Sequence, residues 1–233
     1  MHRGYAVDKE ATLPYRPVFH HVTGRWRPRW RGRIHGGATL VTIPAGAGLI
    51  IAANGAIATT AVSIYVASMS ALFATSASYH LFTRSERTQR IMQRVDHSMV
   101  FVLIAGTYTP VCLLALPRPL GITYLSLIWI SAAVGIILKM LWRGMKTAAV
   151  MYLVLGWAVV FVIPWVYDHV GAVGLTLYAA GGVVFSVGAV LFYKQWPTLK
   201  PEVFGFHEMW HVFTVIAVAL QFGASAVLIS RVA

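Results

Sequence analysis

Across 45 positions from Ala38 to Phe82 the chain carries no Asp, Glu, Lys or Arg, and comparable apolar runs recur to the C-terminus between short charged clusters. A bilayer asks about 20 apolar residues of each crossing helix, so the first run is too long for one helix and right for two. The turn dipeptide Asn54-Gly55 marks the break. Continuing in this way, the pattern predicts spans near 38–55, 57–82, 95–116, 120–141, 148–166, 171–192 and 206–229. The third stops at Pro117-Arg118-Pro119, the fifth closes with Pro164 and Asp168, and the sixth ends before KQWPTLKP. The expected fold class is therefore all-α: a polytopic bundle of seven transmembrane helices over 35–233, preceded by a polar arm over 1–34.

Composition agrees with that pattern. Hydrophobic residues make up 58% of the chain and charged ones 11%, whereas a soluble domain has about a quarter of its residues charged. No cleavable signal peptide is expected, because the first 34 residues are polar and basic. The single cysteine, Cys112, excludes an internal disulfide and a cysteine-rich metal cluster. The net charge of +12 raises the question of nucleic acid, but much of it lies in RWRPRWRGR (25–33). Such an arm, with Trp26 and Trp30 at the interface, is the cytoplasmic flank of a membrane protein held near anionic headgroups. Nothing else in the chain favours RNA or DNA. With the N-terminus inside and seven crossings, 17 of the 19 Lys and Arg residues fall on the cytoplasmic side, leaving only Arg118 and Arg231 outside. An even number of crossings destroys that asymmetry. The expected location is the plasma membrane, with a cytoplasmic N-terminus and an external C-terminus.

Topology then gathers the polar residues. The second helix runs inward and ends with SASYHLF, which places His80 near the cytoplasmic leaflet. The third starts there with RVDHS, bringing Asp96 and His97, and the seventh starts there with HEMWH, bringing His207 and His211. Polar groups at that depth need partners inside the bundle. Two imidazoles at i and i+4 share a helix face, and a third from another helix completes a three-histidine set with one position left for water. Imidazole with oxygen favours zinc, though iron, cobalt and nickel fit as well. Each residue also has a plainer reading. Asp96 can cap the third helix. His97, about 100° round the helix from Asp96, can be an interfacial residue. Ser76, one turn before His80, can orient a ligand or bond to its own backbone. Pro44 and Pro110 are expected to bend their helices, with Thr107 or Thr109 taking up freed carbonyls, and Gly181, Gly182 and Gly188 to mark close packing.

SASYHLF, RVDHSMVFVLIAGTYTP and HEMWHVF, in that order, resemble the three signature segments of the hemolysin III family, the bacterial branch of the progestin and adipoQ receptors. The resemblance covers about 35–230 and implies seven helices with a cytoplasmic N-terminus. It also implies zinc held by His80, His207 and His211, with Asp96 holding a water at the metal and Ser76 beside it. No acid is required at Glu208, which removes the protease reading of HEMWH, where the intervening glutamate must be the base. Zinc beside a carboxylate, within the bundle, points to hydrolysis of a lipid amide or ester: Asp96 as general base, Ser76 as a positioning or oxyanion-side group. A resemblance to ceramidase-like hydrolases is in keeping with this. The alternatives are a receptor-like or sensor protein with structural zinc and, third, a membrane-lytic protein. The expected partners are the bilayer, a lipid substrate and, through the arm, anionic headgroups.

Overall fold

The computed structural model describes residues 19–21, 24–141 and 145–232. A two-residue hairpin, β1 (Phe19–His20) with β2 (Arg25–Trp26), pairs antiparallel with Phe19 opposite Trp26. The helices are α1 (Arg33–Ala52), α2 (Ala56–Phe82), α3 (Glu86–Leu114), α4 (Arg118–Leu141), α5 (Met145–Trp157), α6 (Ile163–Tyr193) and α7 (Phe206–Val232). A 3₁₀ segment, Ala158–Val162, joins α5 to α6.

Among the described residues, six segments are long and apolar enough to cross a membrane. Five are α1 to α4 and α7, and the other is the 44-residue run Val150–Tyr193. As one straight helix that run would measure about 66 Å, twice the hydrocarbon thickness, and it is interrupted twice. The 3₁₀ turn is one break. The other is Gly171, whose φ of 62° and ψ of −170° lie outside helical space within α6. Gly171 is the boundary of the gap expected at 166–171; Pro164, expected to close the fifth span, instead stands in the first turn of α6, where its missing N–H costs nothing.

Several helices start earlier than the apolar runs. α3 begins ten residues before Asp96, capped by the Ser85 hydroxyl, which accepts from the Thr88 amide at 3.2 Å. Asp96 is therefore an interior residue and caps nothing. Pro110 sits inside α3 as expected, but Thr107 bonds the Leu103 carbonyl and Thr109 that of Ala105, so neither takes the Gly106 carbonyl that the proline leaves free.

α3 is central, packing on α2, α4, α5 and α7. Three apolar clusters surround it. Leu49, Val62, Tyr65 and Phe73 join α1 and α2 to Val218 and Ile229 of α7. Val111 meets Val166, Tyr178 and Leu228 between α3, α6 and α7. Phe101 and Tyr108 pack on Ile128 and Ala132 of α4. Gly181 and Gly188 lie against α7, where a methyl group at Gly188 would come within 2.6 Å of Phe213. On the outside, Leu40, Ile51, Leu127, Val154, Phe161 and Val173 are exposed, as a surface in contact with acyl chains requires.

Candidate metal centre

His80 lies in the last turn of α2, while His207 and His211 occupy the first two turns of α7. Their ring centroids are 4.9 Å (His80–His207), 5.0 Å (His80–His211) and 4.9 Å (His207–His211) apart. One nitrogen from each lies within 4.8 Å of the other two, so the trio can hold a metal ion. Ligands at about 2.1 Å from one ion are at most about 4.2 Å apart, a closure within the range of small ring rotations. The donors are also chemically right. Neither nitrogen of His80 and not Nδ1 of His211 has a hydrogen-bond partner, although both residues are almost wholly buried. Orphaned buried polar atoms are costly, and a shared cation satisfies all three rings at once. α2 packs on α1 and α3, and α7 chiefly on α6, so such an ion would link helices whose main neighbours differ.

The trio opens on a cavity of about 900 Å³. Asp96 of α3 lines it, half-buried, with the buried Ser76 hydroxyl as its side-chain partner. The serine is thus placed beside the carboxylate. His97 also lines the cavity but lies outside the converging trio; its carbonyl accepts from the Tyr152 hydroxyl at 2.8 Å.

Several wall residues were not identified from sequence. His35, in the first turn of α1, stacks on His211 with centroids 3.9 Å apart and planes 10° from parallel. Both its nitrogens lack partners at 3% exposure. Arg27 turns inward from the basic arm and donates to the carbonyls of Tyr79 (2.9 Å) and His80 (2.5 Å) and to the Thr83 hydroxyl (3.2 Å). It thereby satisfies the exposed carbonyls at the end of α2 and opposes the helix dipole. Burial, partly countered by Tyr79, lowers its guanidinium pKa to about 10, still protonated at neutral pH. His20, hydrogen-bonded to the Tyr79 hydroxyl at 2.7 Å, is lowered to about 4 by burial first and by Arg27 and Arg31 next.

Glu208 is fully buried, and both its oxygens are engaged. Oε1 accepts from Arg31 Nε, and Oε2 accepts from the Gly205 amide at 2.8 Å, the reaching-back half of a capping box. A carboxylate held at both oxygens is a support for α7 and the arm, not a base directed at a substrate. Backbone bonds from Arg29 to Glu202 and from Trp30 to Val203 complete the attachment of the arm to the α6–α7 loop. Gly32 lets it lie close: with φ of 80° and a Cβ position only 2.7 Å from His80 Cβ, this site excludes a side chain.

A bundle of membrane-length helices enclosing a cavity, with three imidazoles converging on it, two buried and one half-buried, defines a multi-pass membrane protein with an interior candidate metal site. Comparison with known proteins narrows this. Residues 24–222 match the family model described as Haemolysin-III related. The chain is 35% identical over 193 residues to Hemolysin-3 of Bacillus cereus, covering 81% of this chain and 85% of the relative. It is 36% identical over 194 residues to the Hemolysin-3 homolog of Bacillus subtilis (strain 168), covering 81% and 87%. The chain belongs to the haemolysin-III family.

Proposed function

We propose that this protein is a zinc-dependent hydrolase of a lipid amide or ester, working inside the membrane. The observation that carries the reading is the convergence of three imidazoles, those of His80 and His211 buried with unpartnered nitrogens and that of His207 half-buried, with a carboxylate on one cavity wide enough for a lipid's polar end. His80, His207 and His211 would hold the ion, which when bound supplies Lewis-acid polarisation of a carbonyl and a more acidic water. The remaining chemistry falls to the chain. Asp96 takes a proton from water as its oxygen adds to the acyl carbon, and returns it to the nitrogen or oxygen that leaves. Ser76 holds the carboxylate in position. Arg27 and Gly32 set the end of α2, and so the angle from which His80 enters.

The Val150–Tyr193 run is read as two crossings joined around Gly171, for seven in all. This count leaves 17 of the 19 Lys and Arg residues on one side, which supports a cytoplasmic N-terminus. The exposed Arg33, Arg84 and Arg87 then face anionic headgroups of the inner leaflet.

Asp96→Asn tests the chemistry. The variant should keep its metal, measured by elemental analysis, and lose lipid hydrolysis by about two orders of magnitude or more. Metal in the His207→Ala/His211→Ala double variant should fall to background. Full hydrolysis by the Asp96→Asn protein refutes the assigned base, and equal zinc in both variants refutes the ligand set. The second reading, a structural metal in a receptor-like protein, is favoured by one observation: the trio bridges α2 and α7, which otherwise pack mainly on other helices. In that case Asp96→Asn has no catalytic effect, while loss of the metal lowers thermal stability.

A further inference from the structure

The polar wall of the cavity is not neutral. Arg27, Arg31 and Lys139 stand against Asp96 and Glu208, and two of the three cations have evident counterparts. Arg31 is paired with Glu208. Arg27 is within electrostatic range of Asp96 and is saturated by the end of α2. Lys139 is the exception. It lies in the last turn of α4, where a lysine ordinarily extends to the membrane surface. Instead it is 8% exposed and lines the cavity, near His97. Among the described residues no ion pair links its ammonium to a carboxylate. A lysine drawn inside the bundle without a carboxylate partner is costly, and its place on the lining of a chamber that also holds a candidate divalent-cation site raises the local positive potential further.

We infer that Lys139 is the anchor for an anionic group, a phosphate or carboxylate, on the amphiphile that occupies this cavity. The inference rests on the cavity being the lipid-binding chamber proposed above, and it specifies the class of lipid: one whose polar end carries negative charge. Lys139 comes from α4 and the imidazoles from α2 and α7, so the charged group and the metal-facing part of the ligand contact different walls. That separation suits a headgroup held at Lys139 with an acyl bond directed to the histidines.

The test is binding, independent of turnover. The purified protein in phosphatidylcholine nanodiscs is titrated with dioleoylphosphatidic acid, with oleate, and with additional dioleoylphosphatidylcholine, and binding is read by native mass spectrometry. An anionic ligand should bind at least tenfold more tightly than phosphatidylcholine. Lys139→Gln should remove that preference, because a charge-assisted contact is lost, whereas Lys139→Arg should keep most of it. Preference for phosphatidic acid over oleate identifies a phosphate headgroup, and the reverse identifies an acyl carboxylate. Equal binding of neutral and anionic lipids to the parent protein, or undiminished anionic binding by Lys139→Gln, overturns the inference. Should Lys139→Gln not fold, Lys139→Met serves for the same comparison. Metal content and hydrolysis are recorded on the same samples, so an unchanged Lys139 variant with intact zinc and turnover removes the anchor and leaves the hydrolase reading standing.

Discussion

At the scale of single residues, Glu208 and His20 show how environment assigns roles that residue type leaves open. Within HEMWH the glutamate has the spacing of a metalloprotease base, yet both its oxygens are occupied by Arg31 and the Gly205 amide. Glu208→Gln should accordingly keep the metal and lower stability by about 1–3 kcal/mol, since one buried partner of Arg31 is weakened; elemental analysis and unfolding in detergent give the two numbers. Loss of metal in that variant would place Glu208 among the ligands. His20 supplies a pH effect. Its folded pKa of about 4 lies below the ordinary histidine value of 6.5, because burial and then the neighbouring arginines disfavour the cation. The unfolded chain therefore binds the extra proton first, and stability is full above about 6.5 and falls as pH drops towards 4. His20→Gln should flatten that acid limb between pH 6.5 and 4, followed by melting temperature against pH; an unaltered slope would assign the acid sensitivity elsewhere. The histidines of HEMWH were readable in the sequence because i, i+4 spacing fixes a shared helix face. His35 was not, because a lone histidine next to a basic arm carries no periodic signal.

Individual elements owe their placement to a few backbone positions. The arm reaches the end of α2 through Gly32, whose left-handed φ and 2.7 Å approach to His80 leave no room for a methyl group. Gly32→Ala should cost about 1–3 kcal/mol through backbone strain and displacement of α1. It should also weaken metal binding severalfold by moving His80, measured as zinc affinity by competition with a chromogenic chelator. Undisturbed affinity would mean that the α2 terminus is positioned without the arm. Helix boundaries show the same limit of sequence reading. The apolar runs located α1 to α4 and α7 well, since lipid exposure forces a run of fixed length. They put the start of α3 too late, because its first two turns are polar and lie beyond the apolar stretch, where Ser85 rather than Asp96 forms the cap. The break expected at 166–171 in the 150–193 region ends at Gly171, where the chain leaves helical space, whereas the 3₁₀ turn at Ala158–Val162 was not expected, because no Gly or Pro falls within it.

For the whole molecule, the distribution of charge makes the testable statement. If Val150–Tyr193 crosses twice, reporters fused at the two ends of the chain should report opposite sides: an N-terminal fluorescent protein bright, a C-terminal alkaline phosphatase active. Matching sides for the two termini would require an even number of crossings. Chain-wide hydropathy and charge were sufficient for the all-helical membrane architecture and for gathering His80, Asp96, His207 and His211 at one end. Both follow from a bilayer's demands on length and on buried charge, which act on sequence positions one at a time. The inward turn of Arg27, Arg31 and Lys139 could not be read in that way. Each belongs to a cluster that charge counting assigns to the membrane surface, and only packing between distant segments, the arm on the end of α2 and α4 against α3, turns them into the cavity. Helix periodicity states which residues share a face; which face looks inward, and what it meets there, depends on contacts between segments far apart in the chain.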